Sequence, residues 1–452
     1  MRISSRLTKV LTVATAATAA AAFAACGSSS TSGTASPSAS TGGGAASAAP
    51  GDSASAPAAS GTASGAASTD KPVTLSWFMW SGSNDEVNAW KHVGDLVTKK
   101  YPNIKIEFQT TAFNPYWTKL TTQAASGNAP CIVGLQGQRA PQFGNLLVPL
   151  DDYMTQLGVK AADFGPSIFK GLQYNGKQVA LPYDYGPFVM FYNKDAFKAA
   201  GLKAPAVGWT TAEFLADAKA LTKPPKYGFF ANSDIGGLLP WVLSASGKSA
   251  LDANGKLAVN TPEWKSGAQF YTDLITKDKV SAQIPSANST SASANQFLAG
   301  NAYMTLDGPW DLINARALSK FGVGIAPMPK GASGSQTWSD GSGFGVTKDC
   351  KNPAEAAKAV SVLTGVEAET YLGDAGRAFP ARLATQTAWY TGNKTQDVKP
   401  IMDAALANAV PYTTTPTWQQ VVTAFQKQAV AVYNGQGSVG DLLSQTQAQS
   451  GS

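Results

Sequence analysis

The segment from Gly27 to Asp70 contains only Ser, Ala, Gly, Thr, Pro and Asp, and it has no large apolar residue. Such a segment cannot bury enough apolar surface to offset the entropy lost on ordering, so it is predicted to be a flexible, disordered linker. Random-coil scaling gives its roughly 45 residues an end-to-end distance of about 35–40 Å. Folding is therefore confined to the chain from Lys71 onward, which holds all eleven Trp residues.

The first 25 residues have the layout of a secretory signal peptide. Three basic residues lie within the first nine positions, and residues 10–23 form an apolar region that is too short for a transmembrane helix. Cys26 follows two Ala residues, which resembles the bacterial lipobox, although Phe23 stands where Leu is usual. An ordinary signal peptide with a chance Cys is the alternative. Because the linker suits a tethered domain, we predict a lipoprotein anchored through Cys26 to the outer face of the cell membrane.

The charged, Cys and His residues exclude several classes of protein. Beyond the signal segment there is no basic run, so nucleic acid is not an expected partner. His92 is the only histidine, which leaves no material for a zinc site or a Ser-His pair, and we predict no metal and no cofactor. Once Cys26 is lipidated, Cys131 and Cys350 remain, either as a disulfide or as two buried thiols.

Hydrophobic periodicity predicts an α/β fold. Apolar residues alternate like strands over 73–77, 104–108 and 132–135, and they recur at helical spacing over about 83–101 and 114–127. This βαβαβ order predicts a parallel sheet covered by helices on both faces. In such sheets, ligands bind at the loops that follow the carboxyl ends of the strands.

The remaining chain continues the pattern. Residues 179–182 and 188–192 are strand-like, Thr210 with Glu213 forms a capping box at a helix start, and 418–433 is predicted to be a long helix. The folded part, at about 380 residues, exceeds the ~250–300 residues at which single hydrophobic cores stop growing. Two lobes are therefore expected.

A series of short motifs occurs in a characteristic order along the folded part. They are Leu75-Ser-Trp77, Lys100-Tyr101-Pro102-Asn103-Ile104, Ser126-Gly127-Asn-Ala-Pro130, Leu147-Val-Pro-Leu150-Asp-Asp-Tyr153, Tyr174-Asn-Gly176-Lys177, Leu181-Pro182, Phe191-Tyr192-Asn193-Lys194-Asp195, Phe297-Leu-Ala-Gly300, Tyr303-Met304-Thr-Leu-Asp307-Gly308-Pro309-Trp310 and Ala326-Pro-Met-Pro-Lys-Gly331. From about Val73 to the C-terminus, the chain resembles the extracellular solute-binding proteins of family 1, the maltodextrin-binding-like receptors of carbohydrate ABC importers.

This resemblance implies a two-lobed, periplasmic-binding-protein-like (type II) fold with crossover hinge segments. Lobe 1 is expected over 73–183 plus 328–379, and lobe 2 over 184–327 plus 380–452. The family's role implies a monomer that is not an enzyme and that captures a mono- or oligosaccharide between its closing lobes. It also implies delivery of the sugar to the transmembrane permease subunits of an ABC importer, and hence an extracytoplasmic location.

The resemblance also bears on the two cysteines. The family usually has Asp at the position of Cys131, which begins the third strand. Cys350 follows a strand at 343–347 that runs antiparallel near the third strand in the family. The resemblance therefore favours a disulfide between Cys131 and Cys350, away from the cleft.

A pyranose offers an apolar face and a rim of hydroxyls, so its site needs flat aromatic rings and a few well-placed polar groups. Trp310 is the leading candidate, because a Trp at this position stacks on sugar in the family. Core packing is the alternative for Trp310 and Trp80, and a plain turn is the alternative for the glycine-rich segment 340–343. The expected ligand-binding residues are Trp80, Ser81, Gln138, Arg139, Tyr183, Asp184, Tyr185, Trp241, Trp310, Gly341, Gly343, Arg377 and Trp418.

Two other functions compete with this expectation. A secreted glycoside hydrolase needs two carboxylates about 5–9 Å apart, but six of the seven Glu residues lie at predicted exposed or capping helix positions, and Glu107 lies in a strand. The same fold binding a non-sugar solute is the second rival. Polyamines require several acids in the cleft and iron requires clustered tyrosines, of which only Tyr183 and Tyr185 are candidates.

Overall fold

The computed structural model describes residues 71–285 and 292–451. The predicted signal peptide, the lipidation site at Cys26 and the linker lie outside the described residues. Within these two ranges, no helix combines the length and the apolar character needed to cross a membrane.

Eleven strands occur in the described residues. They are β1 (Val73–Trp80), β2 (Ile104–Thr111), β3 (Ile132–Gln136), β4 (Gln173–Tyr174), β5 (Lys177–Gln178), β6 (Leu181–Pro187), β7 (Val189–Asn193), β8 (Met304–Asp307), β9 (Val323–Ala326), β10 (Thr337–Val346) and β11 (Ala409–Pro411). The predicted first three strands are present, and β1 and β2 each extend three residues beyond their predicted ends. The end of β1 is a continuous buried run, which is typical of a parallel strand covered on both faces.

Seventeen α-helices surround these strands in the described part of the chain. They are α1 (Asn84–Lys100), α2 (Phe113–Ala125), α3 (Ala140–Phe143), α4 (Asp151–Leu157), α5 (Pro166–Gly171), α6 (Lys194–Ala199), α7 (Thr211–Leu221), α8 (Ile235–Ser246), α9 (Pro262–Thr276), α10 (Ala292–Leu298), α11 (Leu312–Leu318), α12 (Pro353–Leu363), α13 (Val366–Asp374), α14 (Gln386–Gly392), α15 (Lys399–Ala407), α16 (Trp418–Tyr433) and α17 (Val439–Gln447).

Local signals explain several helix ends. The capping box of Thr210 and Glu213 is present at the start of α7, and α16 has the predicted limits. The helix predicted from about 114 is present as α2, which begins one residue earlier, at Phe113.

The larger sheet has six strands in the order β11-β10-β3-β1-β2, with β6 also paired to β10. β1 is parallel to β2 and β3, as the βαβαβ pattern predicts, while β10 returns antiparallel to β3 with Phe344 opposite Gly134. Because the carboxyl ends of parallel strands meet at one edge, the start of α2 and the residues after β3 lie on the same side of the sheet. This arrangement positions the first wall of the site.

A second sheet of three antiparallel strands has the order β8-β7-β9. β4 and β5 form a separate short hairpin. β6 runs into β7 with only Phe188 between them, so consecutive strands carry the chain from the larger sheet to the smaller one.

Each sheet supports its own hydrophobic core. The first core includes Leu75 to Tyr183 and Phe344 to Ala381, and the second spans Phe188 to Leu443. A smaller cluster around Trp389 packs against β7. We call the parts built on the first and second cores the first and second lobes.

The predicted lobe limits stay a prediction, and the packing near them is mixed. Met328 and Trp338 pack into the second core, whereas Ala381 packs into the first. The chain between 328 and 381 therefore contributes some residues to the first core and others to the second.

Candidate functional site

A cleft of about 620 Å³ lies between residues of the two lobes. Its first wall comes from α2 and from the turn after β3, and its second wall comes from the start of α8, β10, the residues after β11, and α16. The cleft is lined by Phe113, Asn114, Trp117, Thr118, Thr121, Thr122, Gln138, Arg139, Gln142, Phe143, Phe188, Asn232, Asp234, Gly236, Gly237, Trp338, Tyr412, Trp418, Gln419, Val422, Thr423 and Gln426.

Arg139 and Trp117 dominate the first wall. The guanidinium carbon of Arg139 lies 4.3 Å from the centre of the Trp117 ring, in cation–π geometry. Its Nε donates a hydrogen bond to Oε1 of Gln136 over 3.2 Å. Burial lowers the pKa of Arg139 to about 10, so the side chain still carries its charge at neutral pH. The indole N–H of Trp117 is buried and has no hydrogen-bond partner among the described residues.

Stacked aromatic rings build the second wall. The Trp338 ring lies 4.4 Å from that of Phe188 and 4.8 Å from that of Tyr412, and both pairs are stacked. The indole N–H of Trp338 donates to the carbonyl of Gly236 over 2.8 Å, which fixes the orientation of the ring. Trp418, at the first position of α16, meets Tyr412 edge to face. The lobe therefore presents a rigid aromatic surface.

Asp234 is the one carboxylate among the described residues that line the cleft. It caps α8 by accepting a hydrogen bond from the Gly236 N–H over 2.7 Å, and it accepts a second from Nε2 of Gln426 over 3.0 Å. Burial raises the pKa of its carboxyl above the usual range, and these bonds with the charge of Arg139 oppose that rise.

Two hydrogen bonds join the walls. Nη1 of Arg139 donates to Oε1 of Gln419 over 2.7 Å, and the Thr414 hydroxyl donates to the carbonyl of Gln138 over 2.5 Å. Each bond connects a residue in the turn after β3 with a residue in α16 or just before it. This turn is therefore the place where one lobe touches the other inside the cleft.

Three of the residues expected to bind ligand line the cleft, namely Gln138, Arg139 and Trp418. Sequence reasoning missed Trp117, Trp338, Tyr412 and Asp234. Trp117 follows β2 at the carboxyl edge of the sheet, which is a signal that could have found it. The other three come from distant segments, and only the fold brings them together.

Trp80, Ser81 and Trp241 do not line this cleft, and the expectation that they bind ligand stays a prediction. Trp80 is only 8% exposed, because its ring packs against Tyr116 and Trp117 in the first core. Ser81 is bonded to the Thr110 hydroxyl, outside the cleft lining. Trp241 is buried in the second core, where its ring contacts those of Phe214 and Phe229.

Tyr183, Asp184 and Arg377 do not line the cleft but form a buried network with one another, and the expectation that they bind ligand stays a prediction. Arg377 is 2% exposed and contacts Glu86 at 2.5 Å, Asp184 at 3.4 Å and the Tyr183 hydroxyl at 3.2 Å. Asp184 also accepts the N–H of Ser342 over 2.7 Å. Burial raises the pKa of Asp184 to about 6, against the opposing charge of Arg377.

Gly341 and Gly343 both belong to strand β10, which begins at Thr337 and therefore six residues before the strand expected at 343–347. A Cβ at Gly341 would lie 2.2 Å from the Asp184 carbonyl oxygen, and one at Gly343 would lie 2.4 Å from that of Leu181. These glycines let β10 approach β6 closely where the register shifts.

Trp310 and Tyr185 lie near the cleft but not in its lining. The half-buried Trp310 ring is stacked with that of Trp338 at a centroid distance of 6.3 Å. Tyr185 lines a smaller neighbouring chamber.

Cys131 and Cys350 form a disulfide, with their Cα atoms 4.4 Å apart. It joins the start of β3 to the turn after β10, at the opposite end of these strands from the cleft. In the described ranges, no group of three or more His, Cys, Asp or Glu side chains is arranged to hold a metal ion. Glu86 lies at the capping position expected for it, where its backbone N–H donates to the Ser83 hydroxyl, and its side chain is buried against Arg377. Glu369, expected at an exposed or capping position, is buried against Arg382.

Solved proteins share this architecture. An ABC substrate-binding protein of Listeria monocytogenes in complex with cycloalternan is 23% identical, with a TM-score of 0.76 over 84% of this chain and 98% of that one. A maltose-bound protein of T. maritima is 23% identical, with a TM-score of 0.70 over 83% and 99% of the two chains. At this identity the likeness establishes the two-lobed α/β fold.

Sequence comparison identifies the family. A probable ABC transporter-binding protein of Deinococcus radiodurans is 28% identical over 244 residues, which is 50% of this chain. The match spans just over half of that relative, at 56% of its length. The model of the bacterial extracellular solute-binding protein family matches residues 81–370, well over half of the chain. The chain belongs to the bacterial extracellular solute-binding proteins.

Proposed function

We propose that the protein captures a carbohydrate in the cleft between its lobes and delivers it to the transmembrane permease of an ABC importer. The observation that carries this proposal is the composition of the cleft, where aromatic rings and amide side chains come from both lobes. A sugar needs flat apolar surfaces for its ring faces and paired donors and acceptors for its hydroxyls.

Both walls supply amides that suit hydroxyl groups. Gln138 and Gln142 line the first wall, and Gln419 and Gln426 line the second. Each amide offers both donors and an acceptor, so it can match a hydroxyl in either role. The unpartnered indole N–H of Trp117 is a further donor that a ligand hydroxyl would satisfy.

The charges in the cleft argue against an anionic ligand. Arg139 is the one cation that lines the described cleft, and it is already engaged with Trp117 and Gln419. Asp234 places an acidic side chain on the facing wall. A phosphate group would face Arg139, which already has partners, and the acidic side chain of Asp234. A carbohydrate without anionic groups would not be repelled by Asp234.

The cleft does not offer the carboxylate pair of a glycoside hydrolase. Hydrolysis of a glycosidic bond requires an acid and a second carboxylate on either side of it. Asp234 stands alone among the described lining residues, and its two oxygens already accept bonds from Gly236 and Gln426. This supports binding without turnover.

In the proposed transport cycle, closure of the lobes is the change that indicates a bound ligand to the permease. A ligand shifts the equilibrium between open and closed forms only when it has different affinities for them. A sugar held by both walls has that difference, and the closed form would then be the one that the permease recognises. The lipid anchor at Cys26 and the linker would keep the protein near the importer, and both remain part of the proposal.

A thermal-shift screen against mono- and oligosaccharides tests this function. A ligand that binds only the folded state raises the unfolding midpoint, by an amount that grows with its concentration above Kd. Glycerol phosphate and a polyamine serve as non-sugar probes, and overnight incubation followed by sugar analysis detects turnover. Midpoints that rise only with non-sugars, or hydrolysis of a bound saccharide, would contradict the proposal.

A further inference from the structure

A smaller chamber adjoins the cleft. Its volume is about 160 Å³, roughly a quarter of that of the cleft, and the two spaces share Tyr412 in their linings. The first lobe contributes Ser167 and the second contributes Thr413, while β6 and β10 contribute Tyr185 and Asp340. The chamber therefore lies at the junction of the lobes and has room for a substituent of a ligand held in the cleft.

Asp340 is an acid without a counter-ion in this chamber. The residue is 9% exposed, its Oδ1 accepts the N–H of Gln138 over 3.3 Å, and the backbone N–H of Gly341 also stabilises the charged carboxylate. Its Oδ2 has no hydrogen-bond partner among the described residues. Arg139 and Asp184 are the other charged groups that act on it. Arg139 is directed to Trp117 and Gln419, and Asp184 is paired with Arg377.

This arrangement favours one kind of ligand group. A buried carboxylate is costly unless it is paired, and burial raises the pKa of Asp340 to about 8, so it keeps its proton near neutral pH. An ammonium group would supply both the missing hydrogen bond and the missing charge. The rings of Tyr185 and Tyr412 suit a cation, because aromatic faces attract positive charge.

We propose that the chamber is a subsite for an amino group carried by the saccharide, with Asp340 as its counter-ion. This inference rests on the proposed function, because the saccharide in the cleft brings the amino group to the chamber. A hydroxyl in the same place would form an ordinary neutral hydrogen bond and would leave the carboxyl protonated.

Calorimetric titration with matched saccharides tests the subsite. The probes are glucosamine and its β-1,4-linked disaccharide, the same compounds N-acetylated, and glucose with cellobiose, so that one substituent changes within each set. For the wild-type protein we expect the amine to bind about tenfold more tightly than the hydroxyl or N-acetyl compound, the usual margin of a charge-assisted hydrogen bond over a neutral one. Asp340→Asn should bring this ratio close to one, and the matched surface variant Asp403→Asn should keep it.

The outcomes separate the subsite from the proposed function. If no saccharide binds here or in the wider screen, the proposed function fails and the subsite fails with it. If neutral saccharides bind and the amine has no advantage, only the subsite is wrong. An amine preference that survives in Asp340→Asn also contradicts it. Should that variant not fold, the wild-type ratio decides, and a ratio near one overturns the subsite.

Discussion

Nη1 of Arg139 donates a hydrogen bond to Oε1 of Gln419 over 2.7 Å, and this bond joins the first lobe to the second across the cleft. The same guanidinium covers the ring of Trp117 at 4.3 Å. Arg139 thus occupies a surface on which a sugar ring could stack. A ligand that enters the cleft must share these contacts with Arg139 or replace them.

Removing the amide of Gln419 should loosen the lobes. Hydrogen bonds to charged groups contribute about 1.5–3 kcal/mol, so we expect Gln419→Ala to reduce the closed population of the ligand-free protein about tenfold or more. Small-angle scattering should then give a larger radius of gyration for this variant. Gln436→Ala, on an exposed turn, is the control. An unchanged scattering profile would show that the bond does not hold the lobes together.

Trp418 should contribute strongly to sugar affinity. It lines the cleft at the start of α16, and central aromatic residues typically carry 2 kcal/mol or more of binding free energy. We expect Trp418→Ala to weaken saccharide binding about thirtyfold in calorimetric titrations. Tyr371→Ala removes a ring that stacks on His92 outside the cleft, and it should leave affinity unchanged. Equal effects of both variants would contradict this role.

The disulfide should stabilise the protein without affecting its site. It closes a sequence separation of 219 residues, and cross-links of this kind contribute about 2–5 kcal/mol by restricting the unfolded chain. The double variant Cys131→Ser, Cys350→Ser should therefore unfold at lower urea concentration and keep its saccharide Kd. A variant as stable as the wild type would show that the cross-link contributes nothing to stability.

Asp340 should make stability depend on pH. Its folded-state pKa of about 8 lies above the unfolded value, so between about pH 4 and 8 the folded protein holds a proton that the unfolded chain has lost. The full stabilisation is present below pH 4. It then decreases by up to about 1.4 kcal/mol of unfolding free energy per pH unit, and it is lost as the pH rises through 8. Urea unfolding at about pH 6 and pH 7.5 measures this effect. Between these two pH values, the free energy of unfolding of Asp340→Asn should rise by about 2 kcal/mol relative to that of the wild type. Asp403→Asn should show no such gain, and a pH-independent difference for Asp340→Asn would be evidence against the raised pKa.

Local patterns predicted much of the fold. The alternation before Trp77 and the helical spacing after Ser83 come from short-range geometry, so the βαβαβ order could be predicted without knowledge of tertiary contacts. The capping box of Thr210 with Glu213 is likewise a property of neighbouring residues.

The site was predicted less completely, for physical reasons. Gln138 and Arg139, which follow the third strand, were expected from the resemblance to the family, and both line the cleft. Asp184 was expected to face the ligand because the sequence gives no sign that Arg377, 193 residues away, fills its hydrogen-bonding capacity. Trp338 reaches the cleft through the long strand β10, whose position beside β6 is a tertiary property.

Calorimetric titration of one variant from each wall tests the central claim, that a carbohydrate is held between the two lobes. Gln142→Ala alters the first wall and Gln426→Ala alters the second, and both side chains line the cleft. With the best saccharide from the thermal screen, each variant should weaken binding by about three- to tenfold, the usual cost of one hydrogen bond. If either variant binds with wild-type affinity while the other loses it, the sugar rests on one lobe only and the account is wrong.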